Sequence, residues 1–341
     1  MNHHWITDTP RVELGFLPTP LTPLDRLSER LGGPRIWLKR DDCTGLATGG
    51  NKTRKLEYLL ADARRQNAGA VVTFGAVQSN HARQTAAACA VLGLPCHLLL
   101  ARKVPWRHPH YETSGNVLLD QLLGATVHLV DAPGFGPRRE SLLQELRAAG
   151  TEPYTIPVGG SNHIGAMGYA RCALELLEQA AAQGFAVTDV IHASSSAGTQ
   201  AGLVAGFAGI RHGGDVAPAR VHGINVSEPD PATLPGDVLR IACEVLTRRG
   251  VEASVSEVDV RVDDRYLGDG YGLPTPATVD AIRLLGGSEG IVLDPVYSGK
   301  AFAGLIDRVR RGEFANVTDL IFIHTGGTAS LAVYDSAFAE T

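Results

Sequence analysis

The stretch AVVTFGAVQSNHARQTAAACAVLGLPCHLLL, residues 70–100, decides the fold class. It opens with a strand-like run, AVVTF, at 70–74 that is mostly β-branched and aromatic. It continues into an alanine-rich segment at 79–92 and, after Gly93, returns to a mostly aliphatic run at 96–100. A short strand, a helix closed by glycine and a second strand form the βαβ unit that is typical of parallel sheets. This stretch therefore predicts an α/β fold.

The same alternation continues along the chain. Apolar runs predict further strands at 126–130, 153–157, 189–193, 220–226 and 319–323. Segments rich in Ala and Leu predict helices at 114–123, 138–149, 164–182, 199–209, 233–249, 276–286 and 299–311. We therefore expect open, twisted, mostly parallel sheets that are flanked by helices.

The composition excludes several classes of function. The chain has 341 residues, a net charge of −5 and 44% hydrophobic residues, which is typical of a globular enzyme and not of a protein that coats nucleic acid. No apolar run reaches the ~18 residues of a membrane span, and the five scattered cysteines form no CxxC pair. We expect a cytoplasmic protein with no nucleic-acid or membrane partner. We also expect no metal site, because no set of Asp, Glu, His and Cys has ligand spacing.

The first candidate for chemistry is Lys52, in the segment TGGNKTRK at residues 48–55. Gly49 and Gly50 allow a bulky group to approach the backbone, and a desolvated lysine there would have a lowered pKa and act as a nucleophile or Schiff-base amine. A solvated basic helix start explains the segment equally well. It is not a nucleotide-binding G-x-x-x-x-G-K-[ST] loop, because Asn51 precedes the lysine.

Two further segments open helices. SSSAGTQAG, residues 194–202, follows an apolar strand, and its hydroxyls and N–H groups at a helix N-terminus favour a phosphate. The alternative is a plain N-cap cluster. The segment QSNH, residues 78–81, suits a carboxylate or a ring oxygen, unless Ser79 only caps its helix. Hydrolysis through Ser79 and His81 is a weak alternative, because no G-x-S-x-G motif surrounds them.

Two loops present a tyrosine beside glycine: GDGYGLP at 268–274, with Tyr271, and DPVYSGK at 294–300, with Tyr297. A tyrosine offers a flat face to an aromatic cofactor and a hydroxyl that can donate a proton. For either tyrosine alone, packing in a tight turn is the simpler explanation. The segment HTGGT at 324–328 ends an apolar strand, and it predicts a second polar group at the edge of the sheet.

Six segments together resemble the family of pyridoxal-phosphate enzymes that includes D-cysteine desulfhydrase, L-cysteate sulfo-lyase and 1-aminocyclopropane-1-carboxylate deaminase. They follow one another in order and with compatible spacing at 49–57, 78–81, 156–161, 196–202, 293–300 and 324–327. The resemblance implies a tryptophan-synthase-β-like fold (fold type II), pyridoxal 5'-phosphate as cofactor and a homodimer. It also implies a large cofactor-binding domain of residues 1–54 and 166–341 and a small domain of residues 55–165.

The resemblance implies a role for each matching residue. Lys52 would hold the pyridoxal aldehyde as a Schiff base and then move the α-proton of the substrate. Asn80 would lie near the ring oxygen, and Tyr297 and Ser298 would lie beside the ring. The residues implied to bind the phosphate are Ser195, Ser196, Ala197, Gly198, Thr199 and Lys55. The residues implied to contact the amino-acid substrate are Ser79, Asn80, His81, Tyr271 and Thr325, and those implied to be catalytic with Lys52 are Ser79, Tyr271 and Tyr297.

In the family that this chain resembles, the residue that faces the ring nitrogen of the cofactor differs between activities. The cyclopropane deaminases carry a glutamate after the loop tyrosine, where this chain has Ser298. A neutral hydroxyl implies a weaker electron sink, which is sufficient for β-elimination of a good leaving group. We therefore expect a lyase that cleaves the C–S bond of L-cysteate or D-cysteine to give pyruvate, ammonia and sulfite or sulfide. The alternatives are a cyclopropane-carboxylate deaminase, which gives 2-oxobutyrate and ammonia, and a non-catalytic protein that binds pyridoxal phosphate or an amino acid.

Overall fold

The computed structural model describes residues 3–212 and 219–339. Its strands are β1 (Leu21–Pro23), β2 (Arg35–Lys39), β3 (Ala70–Ala76), β4 (Cys96–Arg102), β5 (Thr126–Asp131), β6 (Pro153–Ile156), β7 (Asp189–Ser194), β8 (Arg220–Asn225), β9 (Arg261–Asp263) and β10 (Asp319–Ile323). Its α-helices are α1 (His4–Thr7), α2 (Asp25–Leu31), α3 (Lys52–Arg65), α4 (Asn80–Leu92), α5 (Asn116–Leu122), α6 (Phe135–Ala148), α7 (His163–Ala182), α8 (Gly198–His212), α9 (Thr233–Arg248), α10 (Pro276–Glu289) and α11 (Ser298–Arg310).

The strands form two sheets. The larger has the order β1-β2-β10-β7-β8-β9 and is parallel apart from the β1–β2 pair. The smaller has the order β5-β4-β3-β6 and is parallel throughout. Helices flank both sheets, so the predicted α/β class with two mostly parallel sheets is confirmed.

The central strands that the sequence predicts are buried on both faces, whereas the predicted edge strand β5 has no buried residue. In β10, residues 320–323 are all buried, as the continuous apolar run LIFI indicates for a central parallel strand. The predicted strands and helices from residue 70 onward are present with small shifts at their ends. Two three-residue strands, β1 and β9, and the helices α1, α2 and α3 were not predicted.

The first turn of α3 is stabilised by buried ion pairs and is not a solvated basic segment. Arg54 donates to Asp41 Oδ1 over 2.8 Å and to Glu175 Oε2 over 2.8 Å, and all three side chains are buried. The solvated explanation of the basic segment is therefore wrong for Arg54. The predicted domain boundaries, at 54/55 and 165/166, fall inside α3 and α7, and the division into two domains stays a prediction.

Candidate active site

The loops that follow β3, β7 and β10 open into one cavity of about 820 Å³. It lies at the carboxyl ends of these strands, where α/β proteins bind ligands. The predicted site residues that line it are Lys52, Ser79, Asn80, His81, Ser195, Ser196, Ala197, Thr199, Tyr271, Tyr297 and Thr325. The other three, Lys55, Gly198 and Ser298, are buried next to lining residues. The six sequence segments thus meet at one place.

Lys52 is the first residue of α3, and its side chain reaches the cavity. Its Nζ donates a hydrogen bond to Asn51 Oδ1 over 3.0 Å. Burial of the amine lowers the pKa of Lys52 to about 8, and the Asp294 carboxylate opposes this shift. The uncharged fraction of this amine near neutral pH is therefore much larger than for an ordinary lysine, and the uncharged form is the one that acts as a nucleophile.

The other lysines are less suited to nucleophilic chemistry. The chain has five lysines, and among the described residues that line the cavity only Lys52 and Lys103 are lysines. Lys103 is exposed, and its ammonium lies 5.9 Å from the centre of the Phe135 ring. The remaining three donate to other groups of the protein: Lys39 to Glu175, Lys55 to Gly159 O, and Lys300 to Leu267 O.

The segment after β7 turns sharply into α8. Ala197 has a φ of +66°, and the helix begins at Gly198. Ser161 lies against this turn, because its Oγ is 2.9 Å from Ser196 Oγ and accepts the Gly198 N–H over 3.2 Å. A β-carbon at position 198 would come within 2.6 Å of that Oγ. The turn therefore forms a cradle of hydroxyls and N–H groups at a helix N-terminus, which favours an anion.

Two side chains of the α3 segment tie this cradle to the lysine turn. Lys55 Nζ donates to Gly159 O over 3.0 Å and to Ser161 Oγ over 3.2 Å. Asn51 Nδ2 donates to Thr199 Oγ1 over 3.1 Å. Burial lowers the pKa of Lys55 well below its ordinary value, and a bound anion would restore the charge of this amine.

Asp294 is the buried acceptor around which the start of α11 is built. Its carboxylate accepts the N–H groups of Val296, Tyr297 and Ser298 over 2.9, 2.8 and 2.7 Å. The Ser298 hydroxyl donates to Asp294 Oδ1 over 2.5 Å and accepts the Asp294 N–H over 2.9 Å. The hydroxyl proton of Ser298 is thus held by Asp294, and the Ser298 oxygen remains a neutral acceptor.

Tyr271 and Tyr297, from separate loops, meet at the cavity. Their rings pack edge to face with centroids 5.8 Å apart, and their hydroxyls are hydrogen-bonded to each other. Burial raises the pKa of both tyrosines, so both hydroxyls carry their protons at neutral pH. Lys300 Nζ fixes the loop of Tyr271 by donating to Leu267 O over 2.6 Å and to Gly270 O over 2.7 Å.

Ser79 caps α4 and also lines the cavity. Its Oγ accepts the Ala82 N–H over 3.1 Å. His81 does not activate it: Thr73 donates its own proton to a backbone carbonyl, so His81 Nε2 donates to Thr73 Oγ1, 2.8 Å away. His81 Nδ1 is buried without a hydrogen-bond partner among the described residues, and burial lowers the pKa of His81 well below its ordinary value. The ring is therefore neutral, and the hydrolase alternative gains no support.

The loop after β10 packs directly on the lysine turn. Thr325 O accepts the Asn51 N–H over 3.1 Å. Gly326 has a φ of +81°, and a β-carbon there would lie 2.8 Å from Gly50 Cα, so only glycine fits both requirements. His324 Nδ1 accepts the Gly326 N–H over 3.2 Å and fixes the turn that presents Thr325.

Several residues that build the cavity were not singled out from the sequence. Ser161 supports the phosphate-type cradle, Ser227 Oγ lies 2.8 Å from Ser195 Oγ, and Asp294 organises the loop of Tyr297. Ser161 and Asp294 lie in the quoted segments, but without a role. The contacts of Ser161 and Ser227 join distant parts of the chain, and no local pattern signals them. Asp294, in contrast, contacts the next residues of the chain, and an Asp just before a helix is a local signal for such a role.

These observations describe an amine with a lowered pKa, an anion cradle and two tyrosines around one cavity. Residues 12–326 match the model of the family described as pyridoxal-phosphate dependent enzymes.

The chain belongs to this family.

Individual relatives agree with the family match. A 1-aminocyclopropane-1-carboxylate deaminase from Burkholderia multivorans is 43% identical, over 97% of this chain and 98% of the relative. A D-cysteine desulfhydrase from Salmonella choleraesuis is 42% identical, also over 97% and 98%. The crystal structure of an ACC deaminase homologue has a TM-score of 0.87 and 36% identity, and the match covers 99% of both chains. The predicted resemblance and fold type II are confirmed.

The cofactor of this family is pyridoxal phosphate, and the cavity fits it. The amine of Lys52 suits the aldehyde because its pKa is lowered to about 8. The cradle before α8, with its hydroxyls and the packed Gly198, suits the phosphate. The prediction of the cofactor from the sequence is therefore confirmed, whereas the roles of single residues stay predictions.

Two kinds of feature are absent from the described ranges, 3–212 and 219–339. No helix there combines the length and apolarity that crossing a bilayer demands. No group of three or more His, Cys, Asp and Glu side chains there could hold a metal ion.

Proposed function

We propose that this pyridoxal-phosphate enzyme is a β-eliminating carbon–sulfur lyase that acts on D-cysteine. With one water, D-cysteine would give pyruvate, ammonia and hydrogen sulfide, with loss of the Cβ–S bond and then of the C–N bond. The observation that carries the proposal is the neutral side chain of Ser298, whose hydroxyl proton is held by Asp294. A thiol on the β-carbon leaves readily once the α-proton is removed, whereas opening an unactivated cyclopropane requires a stronger electron sink.

The proposed roles are those that the family resemblance implies for residues in and beside the cavity. Pyridoxal phosphate, when bound, supplies the electron sink for the α-carbon. The Lys52 amine holds the aldehyde and, once released by the substrate, takes the α-proton. The groups proposed to bind the phosphate are the hydroxyls and N–H groups of Ser195, Ser196, Ala197, Gly198 and Thr199, with Lys55 behind them.

The remaining side chains contact the ring or the substrate. Asn80 donates near the ring oxygen, and Tyr297 packs beside the ring with Ser298 next to it. Tyr271 faces the substrate, and its hydroxyl keeps its proton at neutral pH because burial raises its pKa. It can therefore protonate the departing sulfur. The residues proposed to orient the substrate carboxylate or the leaving group are Ser79, His81 and Thr325.

The charges around the cavity favour a thiol over a sulfonate. Besides Lys52, the described lysine and arginine residues that line the cavity are Lys103 and Arg240, and both are exposed. Arg240 is already paired with Asp237 over 2.7 Å and with Glu244 over 3.2 Å. A sulfonate keeps its negative charge and requires a cation when it leaves water, but a neutral thiol does not. This favours cysteine over L-cysteate, and the name of the Salmonella relative supports the D-enantiomer.

A cyclopropane-carboxylate deaminase is the second candidate. It is supported by the names of relatives such as the Burkholderia multivorans protein, at 43% identity. In that case the substrate would give 2-oxobutyrate and ammonia. We further propose that the enzyme is a cytoplasmic homodimer, with a large domain of residues 1–54 and 166–341 and a small domain of residues 55–165.

The experiment is a product panel with the purified holoenzyme. D-cysteine, L-cysteine, L-cysteate, D-serine and 1-aminocyclopropane-1-carboxylate are each incubated with it, and keto acid, sulfide and sulfite are quantified. We expect equal amounts of pyruvate and sulfide from D-cysteine, and little product from the others. If the main activity is the formation of sulfite from L-cysteate, the substrate is the sulfonate amino acid and not the thiol amino acid. No keto acid from any substrate would favour a binding protein.

A further inference from the structure

Asn116 is a buried residue outside the cavity lining that contacts a residue inside it. It is the first residue of α5 and has no exposed surface. Its Nδ2 donates to Gln78 O over 3.2 Å and to Asn80 Oδ1 over 3.0 Å. Asn80, in contrast, lines the cavity. Asn116 thus connects α5 to the proposed ring-oxygen contact.

These hydrogen bonds fix the orientation of two side-chain amides. The backbone carbonyl of Gln78 can only accept, so the end of Asn116 that faces it is the NH₂ group. That same group reaches Asn80, so the end of Asn80 that receives it is the carbonyl oxygen. The Nδ2 end of Asn80 is then left free to donate elsewhere.

Asn116 is itself held rigidly by Gln78. The Asn116 backbone N–H donates to Gln78 Oε1 over 2.9 Å, and Gln78 Nε2 donates to Tyr111 O over 2.6 Å and to Ser114 O over 3.0 Å. Gly115 allows this close packing, because a β-carbon there would lie 2.6 Å from Gln78 Oε1. The position of the Asn116 amide is therefore determined by the surrounding loop.

The side-chain oxygen of Asn116 accepts no hydrogen bond from the described part of the chain in this arrangement. Asn116 Oδ1 is buried and has no hydrogen-bond partner among the described residues. An unpaired buried carbonyl is unfavourable, and an alanine at this position would avoid it. The unpaired oxygen of the Asn116 amide therefore lowers the stability of the fold, while the NH₂ group of the same amide donates to Asn80.

We infer that Asn116 is a positioning residue for the cofactor: it holds the amide of Asn80 so that Nδ2 is free to donate to an anionic ring oxygen. The inference rests on the proposed role of Asn80. Helix α5 contributes no residue to the cavity lining within the described chain. Through Asn116 it would nevertheless influence the electronic state of the bound pyridoxal phosphate. Without Asn116, the amide of Asn80 could turn and present its oxygen instead.

The test uses Asn116→Ala, which removes the amide without adding a charge. Two quantities are measured with no substrate present: the affinity of the apoprotein for pyridoxal phosphate, and the pH at which the visible absorbance of the lysine-bound cofactor titrates. We expect the dissociation constant to rise about tenfold, as for loss of a hydrogen bond to a charged group, and the titration midpoint to move to higher pH. Asn80→Ala should give the same changes.

The double variant Asn80→Ala/Asn116→Ala decides whether Asn116 acts through Asn80. We expect it to match Asn80→Ala alone. Additive changes, or an unchanged dissociation constant and midpoint in Asn116→Ala, would overturn the inference. If Asn116→Ala does not fold, the nearly isosteric Asn116→Asp replaces it, and an unchanged cofactor affinity in that variant overturns the inference too.

Leu118→Ala, on the same helix and 43% exposed in the wild type, is the matched control for a general effect on α5. It should leave the dissociation constant and the midpoint unchanged, and changes equal to those of Asn116→Ala would also overturn the inference. Because no substrate is used, this test is independent of the product panel. A protein that forms no keto acid can still show the coupling between Asn116 and Asn80, and an active lyase can lack it.

Discussion

The side-chain amide of Asn51 donates a hydrogen bond to the hydroxyl of Thr199 over 3.1 Å. It ties the turn that carries the cavity lysine to the anion cradle at the start of α8. The same amide accepts a hydrogen bond from Lys52 Nζ through its oxygen, over 3.0 Å. One side chain therefore sets both the position of the amine and its relation to the cradle, two groups that one cofactor molecule must reach together.

Lys52→Ala should abolish covalent attachment of pyridoxal phosphate. We expect the visible absorbance of the lysine-bound cofactor to disappear and keto-acid formation to fall about 10³-fold or more. Lys103→Ala, at the other lysine among the described lining residues, should retain the absorbance. Loss of the absorbance in Lys103→Ala, with retention in Lys52→Ala, would show that the cofactor is attached to Lys103 and would contradict the proposed role of Lys52.

The lowered pKa of Lys52 predicts how cofactor attachment depends on pH. Only the neutral amine attacks the aldehyde, and the pKa of this amine is about 8. The rate at which the apoprotein recombines with pyridoxal phosphate should therefore rise up to about pH 8 and then level off. Stopped-flow absorbance measures it, and a rate that still rises tenfold per unit through pH 10 would show an ordinary lysine pKa.

Tyr271→Phe should separate catalysis from cofactor binding. The variant keeps the ring but loses the hydroxyl that meets Tyr297. We expect kcat for pyruvate formation to fall about 10²-fold, the size of a general-acid contribution, while the absorbance of the bound cofactor remains. Tyr154→Phe, which loses a hydrogen bond to Asp62 instead, is the control, and an equal loss of kcat there would remove the special role of Tyr271.

Lys300→Met should loosen the loop that carries Tyr271. The substitution removes the donors to Leu267 O and Gly270 O, at 2.6 and 2.7 Å, with little change in volume. We expect kcat to fall about tenfold and KM to rise, with less effect on cofactor affinity. Arg310→Met changes an exposed residue of the same helix and should be neutral. Unchanged kcat and KM in Lys300→Met would mean that the loop needs no such support.

Asp120 predicts a pH dependence of stability. It is fully buried, neither carboxylate oxygen has a hydrogen-bond partner among the described residues, and burial raises its pKa to about 8, which the charge of Arg83 opposes. Between about pH 4 and pH 8 the unfolded chain releases this proton and the folded chain keeps it. The free energy of unfolding therefore falls as the pH rises through this window.

Asp120→Asn removes that titration. We expect the variant to gain stability relative to the wild type as the pH rises from 5 to 8, by about 1–3 kcal/mol at pH 8. Urea denaturation at several pH values measures it. The exposed Glu140→Gln should show no such trend. A stability difference in Asp120→Asn that does not change with pH would show that the Asp120 carboxyl titrates normally.

Much of the fold could be predicted because its central strands are buried on both faces. β10 is a continuous apolar run, and β4 contains the apolar run at 98–101. The glycines that close helices are also explicit in the sequence, as Gly93 is with a φ of +67°. The strands β1 and β9 have three residues each, too few to form a pattern. Their place in the sheet depends on their neighbours.

Part of the candidate site could be predicted in the same way, from the strands that the sequence shows. Ser79, Ser195 and Thr325 follow the predicted strands β3, β7 and β10, so their meeting follows from the topology. Helix α3 was ambiguous because Arg54 and Lys55 look like a solvated basic turn, whereas their partners, Glu175 and Gly159, are more than one hundred residues away in the chain. The amide orientation of Asn80 was not predictable for the same reason.

The most direct test of the proposed activity compares two substrates on one preparation of the holoenzyme. The measurement is the ratio of kcat/KM for pyruvate formation from D-cysteine to kcat/KM for 2-oxobutyrate formation from 1-aminocyclopropane-1-carboxylate. With neutral Ser298 beside Asp294, we predict a ratio above about 10, a difference of about 1.4 kcal/mol or more in transition-state stabilisation. A ratio below 1 would contradict the assignment as a carbon–sulfur lyase.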